Sequence, residues 1–444
     1  MQSVHVPEEE RAAGRQVDVL VLGSGPAGSA AAIMAARMGA DTLLVDFASI
    51  PGGVSTAGGM SHYTGTVDSR LYREVLQRMA EKNGKDAGGP PRTVIDTVNM
   101  TATWIELLEE AGVELLLYTM ACEAVVEERH SMEEGHSMEE GHSMVKGVVI
   151  QNKTGRSVIM AKAVIDATGD GDIAASAGVE FVKGRETDGM MQPATLMFRV
   201  AGVDMASAVF PGSFETEVYT EKGELQQLAR KTLPYPAGHV LLYRSTQEGV
   251  VTVNMTNAVD IDGSTAEGMT RAELICRKQI PAIVDFLREY VPGYGECYVS
   301  STASLIGIRE TRHLRGVYTL TEEDILACRQ FEDWVVRGAE FNFDVHNMTG
   351  GGLDATGVQK KFPRGVKYTI PYRCFLPCEI DGLLFAGRNI SGTHIAHSNY
   401  RAMPICLAMG EAAGIAAGLA VRKDIPLRDV EASEIQACLV GTAD

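Results

Sequence analysis

The chain has 444 residues, enough for two or three domains around a large buried core. Its formal net charge of -18 leaves no basic surface to replace phosphate counterions, which argues against a nucleic-acid partner. Apolar content of 45% and charged content of 22% are those of an ordinary globular protein, and the 47 glycines cluster in short loops, as close backbone approaches to a ligand require.

The first fifteen residues, MQSVHVPEEERAAGR, are polar and acidic and carry no signal-peptide pattern. From Val17 the run VDVLVL predicts a strand that leads directly into GSGPAG. A small-residue helical stretch, PAGSAAAIMAARMGA, follows, and then a second strand, DTLLVD, that ends at Asp46. Beyond a Gly-rich loop come helical patterns at 70–83 and 95–112 and a third strand at 113–118. Strand-like pieces at 121–128, 145–151 and 156–161 precede AVIDATGDGD. This order implies an α/β domain with a parallel sheet and an inserted antiparallel meander. The meander is interrupted at 127–144 by three hexapeptide copies, with His130, His136 and His142 six residues apart. That spacing fits neither one helix face nor a zinc pattern and reads as a solvated hairpin tip.

From 186 to 300 the pattern changes to short strand-like runs and a helix near 269–290, which suggests a second, substrate-facing domain inserted into the first. The segment 342–366 is loop-like. Residues 402–421 approach the length of a membrane span, but Pro404, Glu411 and three glycines favour a buried helix packed closely on neighbouring backbone; no membrane partner is expected. Eight scattered cysteines without a C-x-x-C pair read as reduced thiols in the cytoplasm, with Cys374 and Cys378 as packed thiols rather than a redox pair.

The strongest motif is Gly23-Ser24-Gly25-Pro26-Ala27-Gly28 between a strand and a helix. Gly23 permits a tight turn, Gly25 lets a pyrophosphate reach the backbone, and Gly28 lets the helix pack on the sheet. The helix N-terminus offers amide donors and a positive dipole, and Asp46 is placed to accept hydrogen bonds from a ribose. A second cluster, ISGTHIAHSNYRAMP, reads as a loop before the last helix and holds His394, His397, Tyr400 and Arg401, the four catalytic candidates. The Arg401 guanidinium suits a substrate carboxylate or a structural one. His394 and His397 suit proton transfer or ring packing, and packing competes for Tyr400 as well. No metal is expected at His394-x-x-His397, because no third ligand is near in sequence. In GIRETRHLRG, Arg309, Glu310 and Arg312 either line the site or form a structural ion-pair network. His62, in GGMSHYTG after the double glycine, is a weaker site candidate.

Several blocks together, PGGVSTAGGMSHYTG, VIDATGDGDIAASAG, GIRETRHLRGVYTLTEEDI, FDVHN, AGRNISGTHIA and RAMPICLAMGEAAGIAA, resemble the FAD-dependent oxidoreductase family related to fumarate reductase and succinate dehydrogenase flavoproteins. They run from residue 17 to about 420. The resemblance implies a glutathione-reductase-type, Rossmann-like FAD-binding domain with an inserted α+β substrate or cap domain. It implies boundaries of 15–185 and 301–425 for the FAD domain, 186–300 for the insertion and 426–444 for a C-terminal tail. By the same resemblance, Gly52, Gly53, Ser55 and Thr56 lie along the flavin, and the Ala121 backbone meets the adenine. Ala167, Thr168, Gly169 and Asp170 approach the cofactor, and Gly387 and Arg388 border its ribityl and pyrophosphate. The Ala402 and Met403 amides face the flavin carbonyl. The expectation is a cytoplasmic enzyme with FAD held without a covalent bond. It would move a hydride between the flavin and a small polar substrate bearing a carboxylate. Arg401 would orient the anion, and His397 or His394 would carry the proton. Alternatives are an FAD-dependent monooxygenase and an electron-transfer subunit that binds FAD but turns over nothing. The electron acceptor, and whether the chain forms a homo-oligomer, stay open.

Overall fold

The computed structural model describes residues 14–83, 93–128, 142–352, 365 and 367–441. The repeat copies around His130 and His136 fall outside them, as does most of 353–366. Strands β1 (Arg15–Leu22), β2 (Thr42–Val45) and β3 (Glu114–Leu116) run parallel in the order β3-β2-β1. Helix α1 (Pro26–Arg37) links β1 to β2, and helices α2 (Arg70–Lys82) and α3 (Thr97–Ala111) precede β3. Both helix starts obey local chemistry. Ser69 caps α2 by accepting from the Tyr72 amide, and Asp96 caps α3 by accepting from the Val98 and Asn99 amides.

The meander is β4 (Met120–Glu127), β5 (Ser143–Asn152) and β6 (Gly155–Asp166), antiparallel throughout. At twelve residues β6 is longer than the six-residue strand its apolar run suggests. Its first half pairs with β5, while its second half runs parallel to β1 and to the returning strand Leu383–Phe385. One strand therefore belongs to both the meander and the parallel sheet.

The register puts Leu22, Val45, Asp166 and Phe385 side by side at the carboxyl edge. Loops leaving parallel strands at one edge frame the crevice where such sheets bind ligands. Across the sheet from its first strand lies α1, and on α1 lies the long helix Met403–Lys423. A Cβ at Gly410 would sit 1.9 Å from the Ala27 carbonyl oxygen, and one at Gly414 would sit 2.2 Å from that of Ala31. Glycines four residues apart thus let two helix backbones touch. This helix is long and apolar enough to cross a membrane, with a mean hydropathy of 1.6, yet 94% of that window is buried inside the protein.

A second antiparallel sheet has strands Leu242–Arg244, Val251–Val253, Phe198–Ala201 and Tyr298–Thr302 in that spatial order. It packs with helices Leu225–Thr232 and Ala266–Tyr290 around its own core, which includes Phe198, Val253, Ile283 and Leu287. The two layers are stitched where the Ser304 and Leu305 amides donate to the Ala57 carbonyl, and where Thr246 Oγ1 donates to Asp96 at 2.9 Å.

Two segments differ from the sequence reading. The stretch before Arg401, read as a loop, is a two-turn helix, His394–Tyr400, capped by Thr393. It is too short, and too rich in Ser, Asn and Tyr, to announce itself by periodicity. Residues 426–444, read as a tail, carry the helix Ala432–Val440. Its Ile435 is fully buried, and the Gln436 amide donates to the Glu332 and Trp334 carbonyls. One buried residue in nine is too weak a periodic signal to read.

Candidate active site

The crevice is built from backbone. Gly23 sits at a φ of +90°, and a Cβ there would lie 2.5 Å from the Ala167 carbonyl oxygen. A Cβ at Gly28 would lie 1.7 Å from the Gly23 carbonyl oxygen, so only glycine allows α1 to start so close to β1. At Gly25, by contrast, nothing lies within 4 Å of an added Cβ: this side of the loop is open. Gly53 crosses beside it, its own Cβ position 2.9 Å from the Gly25 Cα.

The Asp46 carboxylate braces this loop, accepting from the Ser24 hydroxyl at 2.6 Å, from the Ser24 amide, and from the Ala48 amide at 2.9 Å. A carboxylate has about four acceptor sites. Loop bracing uses three, and one is left for the ribose that the sequence assigns to it. The Ser55 and Thr56 hydroxyls donate to the Gly52 and Pro51 carbonyls at 2.7 and 2.6 Å, so these side chains shape the turn while its backbone faces the crevice. Ala121 pairs with Ile150 in the meander and is half-buried. Beside it the sequence reading missed three apolar side chains on segments tied to Asp46 and Ala48: Phe47, Tyr118 and Met120 are 55%, 70% and 56% exposed.

Ala167, Thr168, Gly169 and Asp170 leave β6 at the same edge. Asp166, fully buried, holds this loop through Thr168, the Ala174 amide and Asn389. Arg388 follows Gly387 and donates to Asp170 at 3.2 Å, while its other terminal nitrogen is buried without a partner. An orphaned guanidinium nitrogen at a glycine-lined edge is what a phosphate or a polar ribityl chain would satisfy. Ala402 starts the long helix with no side chain capping it; the Met403 amide has no helical partner, Pro404 has no N–H, and the Ile405 amide donates to the Ala402 carbonyl at 3.0 Å.

Seven residues apart on one face of the short helix, His394 and Arg401 nonetheless serve different neighbourhoods. Arg401 donates to the Asp344 carbonyl at 2.7 Å, to its carboxylate at 3.0 Å and to Gln192 at 3.4 Å, and its Nε is buried and unpartnered. A second guanidinium, Arg309, acts on the same Asp344, and burial with Arg401 nearby pulls it down to about 10. Burial alone would raise the Asp344 carboxyl, but His346, Arg401 and Arg309 hold it well below the usual carboxylate range. His346 Nε2 lies 3.4 Å from Asp344, and burial next to Arg309 depresses the ring to about 4. Phe214 sets its ring edge-on against both His346 and His239. His239, depressed by burial to about 3, contacts the Asn254 carbonyl at 3.0 Å. Tyr243, pushed up to about 12 by burial, packs at a tilt against His62, whose Nδ1 is 2.7 Å from the Ser61 hydroxyl. Gln192 Nε2, His239 Nδ1 and Asn254 Oδ1 are buried and unpartnered as well. His239, Tyr243 and Asp344 were not assigned to the site from sequence, and Arg309 was left between lining the site and a structural ion-pair network. Arg309 and Asp344 leave a trace there in the blocks GIRETRHLRG and FDVHN, whereas His239 and Tyr243 sit in the strand-like run HVLLYRS.

His394 and His397 sit in a second cluster, joined to the first through Gln192, whose amide donates to Glu310 at 3.0 Å. Glu310 Oε1 contacts His394 Nδ1 at 2.6 Å and His313 Nε2 at 2.8 Å. Burial would raise the Glu310 carboxyl, but the two histidines hold it well below its usual value. His397 packs edge-on against His313 and Tyr400, and burial keeps its ring neutral. Tyr400 is fully buried and donates to the Ile390 carbonyl, so its hydroxyl locks the helix to the preceding turn. Arg312 leaves both clusters and pairs with Asp172 at 2.8 Å.

A strand, glycine loop and helix at the carboxyl edge of a parallel sheet, with a bracing acid on the next strand, define a dinucleotide-binding α/β protein. The family model for FAD dependent oxidoreductases matches residues 18–439, and the chain belongs to that family. It is an FAD-dependent enzyme with an FAD-binding, Rossmann-like α/β fold. No curated protein matches the chain. Among solved structures, a flavin-dependent brominase aligns over 96% of this chain and 83% of its own, with 12% identity and a TM-score of 0.50. The p-nitrophenol 4-monooxygenase of Pseudomonas putida covers 96% and 86% at 12% identity and a TM-score of 0.49. A geranylgeranyl bacteriochlorophyll reductase-like protein of Thermoplasma acidophilum covers 96% and 84% at 14% and 0.47.

Proposed function

We propose that the protein exchanges electrons with a small anionic substrate, most simply a carboxylate, held between the FAD crevice and the second sheet. The observation that carries this is a charge imbalance. Arg309 and Arg401 share a single carboxylate, Asp344, and the other titratable neighbours, His239, His346 and Tyr243, are neutral at pH 7. One uncompensated positive charge among buried, unpartnered polar atoms favours an anion bearing further oxygens.

When bound, FAD supplies a ring that exchanges two electrons with a substrate carbon. Gly23 to Gly28, Asp46, Gly52, Gly53 and Asp170 would hold the dinucleotide without a covalent bond. Arg388 would meet its polar chain, and the Ala402–Met403 helix start would lie against the ring. Arg401 binds and orients the substrate anion through the edge not used by Asp344. In this reading the proton is held by His346 rather than by His394 or His397. Its Nε2 faces Asp344, which leaves Nδ1 as the free lone pair of a neutral ring. The two originally assigned histidines are at most 1% exposed and turned toward Glu310 and His313.

Within this proposal the second sheet, near residues 186–300, acts as a cap, and the dinucleotide arrangement is of the glutathione-reductase type, on the side of the fumarate reductase flavoproteins. A cytoplasmic location, an unassigned electron acceptor and the absence of nucleic-acid or membrane partners complete the reading. The test is anaerobic absorbance of the FAD-loaded protein against a panel of small carboxylic acids, sugars and amines. Bleaching by carboxylates supports the reading. Bleaching only by neutral or cationic compounds, or turnover that consumes oxygen and hydroxylates the substrate, overturns it.

A further inference from the structure

The cluster behind Arg401 has the make-up of a metal site. Glu310, His313 and His397 each present one donor atom, and these atoms lie within 4.8 Å of one another. All three residues are at most 3% exposed. Independently, Nδ1 of His313, Nδ1 of His397 and Nε2 of His394 are buried with no hydrogen-bond partner. A buried ring nitrogen left unpaired is destabilising, and an ion held by this cluster would pair those of His313 and His397.

We propose that Glu310, His313 and His397 bind one divalent ion of the zinc class. Two imidazoles and one carboxylate suit a borderline metal. They do not suit magnesium or calcium, which require six or more oxygens. Donors on a tetrahedral ion sit roughly 3.4 Å apart at bond lengths of about 2.1 Å, so the three side chains draw in by about 1 Å on binding. His394, 2.6 Å from Glu310, stays outside the donor set and orients the carboxylate. The ion ties the strand Arg312–Leu314 to the helix His394–Tyr400, and so fixes the position from which Arg401 reaches the pocket. Two of the three ligands, Glu310 and His313, thus come from a segment far from His397 in sequence.

The test uses the full-length, FAD-loaded protein, stripped with EDTA and then titrated with zinc sulfate. Metal is measured by mass spectrometry and flavin by absorbance after gel filtration. One zinc per chain is expected for the native sequence, and none for His313→Gln or His397→Gln at unchanged flavin content. His394→Gln should weaken binding about 10- to 100-fold without abolishing it. If His397→Gln fails to fold, His313→Gln and Glu310→Gln carry the comparison. A native chain that retains no zinc above a buffer blank overturns the assignment, and so does equal retention by the histidine variants.

Discussion

Adding one methyl group at Gly25 separates cofactor binding from folding. The residue lies at a φ of -63°, ordinary for any amino acid, and no atom lies within 4 Å of an added Cβ. Gly25→Ala should therefore leave the unfolding midpoint of the FAD-free protein within about 0.5 kcal/mol of the native value. The new methyl group projects where the pyrophosphate must meet the loop. Pushing the phosphates back removes two amide contacts to a charged acceptor, worth about 1.5–3 kcal/mol each. The loss of about 3–6 kcal/mol weakens FAD binding roughly 10²- to 10⁴-fold. Gly28→Ala is the control in the opposite sense: its Cβ would lie 1.7 Å from the Gly23 carbonyl oxygen, so it should disrupt the fold itself. Thermal unfolding of the apoprotein and FAD titration by flavin fluorescence read the two effects apart. Native FAD affinity in Gly25→Ala would refute the placement of the phosphates on this loop.

Acid should destabilise the pocket through His346. Its ring is depressed from the ordinary 6.5 to about 4, so the stability it contributes is present above pH 6.5 and is lost as pH falls toward 4. The full span is about 3 kcal/mol, and urea unfolding of His346→Gln should show a shallower loss between pH 7 and pH 4. Parallel curves for the two proteins would contradict this. Glu411, buried in the long helix, carries the opposite sign. Burial raises its carboxyl, one oxygen accepts from the Leu71 amide at 3.2 Å, and the other is unpartnered. Its contribution is present below pH 4.5 and is lost as pH rises through its own raised value, so Glu411→Gln should be neutral or stabilising at pH 8, read by thermal unfolding, and show no gain at pH 4.

The crevice was legible because each of its parts is a local motif. A strand, a glycine pattern, a helix and an acid recur within thirty residues, and the loops ending in Asp170 and Arg388 follow apolar strands that the register then aligns. The stripe Gly410, Gly414 and Gly418 was equally readable, since a four-residue spacing has one helical meaning. The pocket was not. Arg401 meets Asp344 from 57 residues away and Gln192 from 209, and no local pattern records which distant carboxylate an arginine will find. The division between Arg401 and the two histidines was hidden for another reason. Read as a loop, the segment 394–400 has no faces; as a helix it points His397 to His313 and hands Arg401 to the pocket.

The central claim is that Arg401, in excess over Asp344, recognises an anion. Its direct measurement is kcat/KM for a reactive carboxylic acid and for the matching neutral amide, in the native protein and in Arg401→Ala. A charge-assisted contact worth about 1.5–3 kcal/mol predicts roughly a 10- to 150-fold preference for the acid in the native protein. In Arg401→Ala that preference should collapse while the amide is turned over at a similar rate. An acid preference that survives the loss of Arg401 would contradict the account.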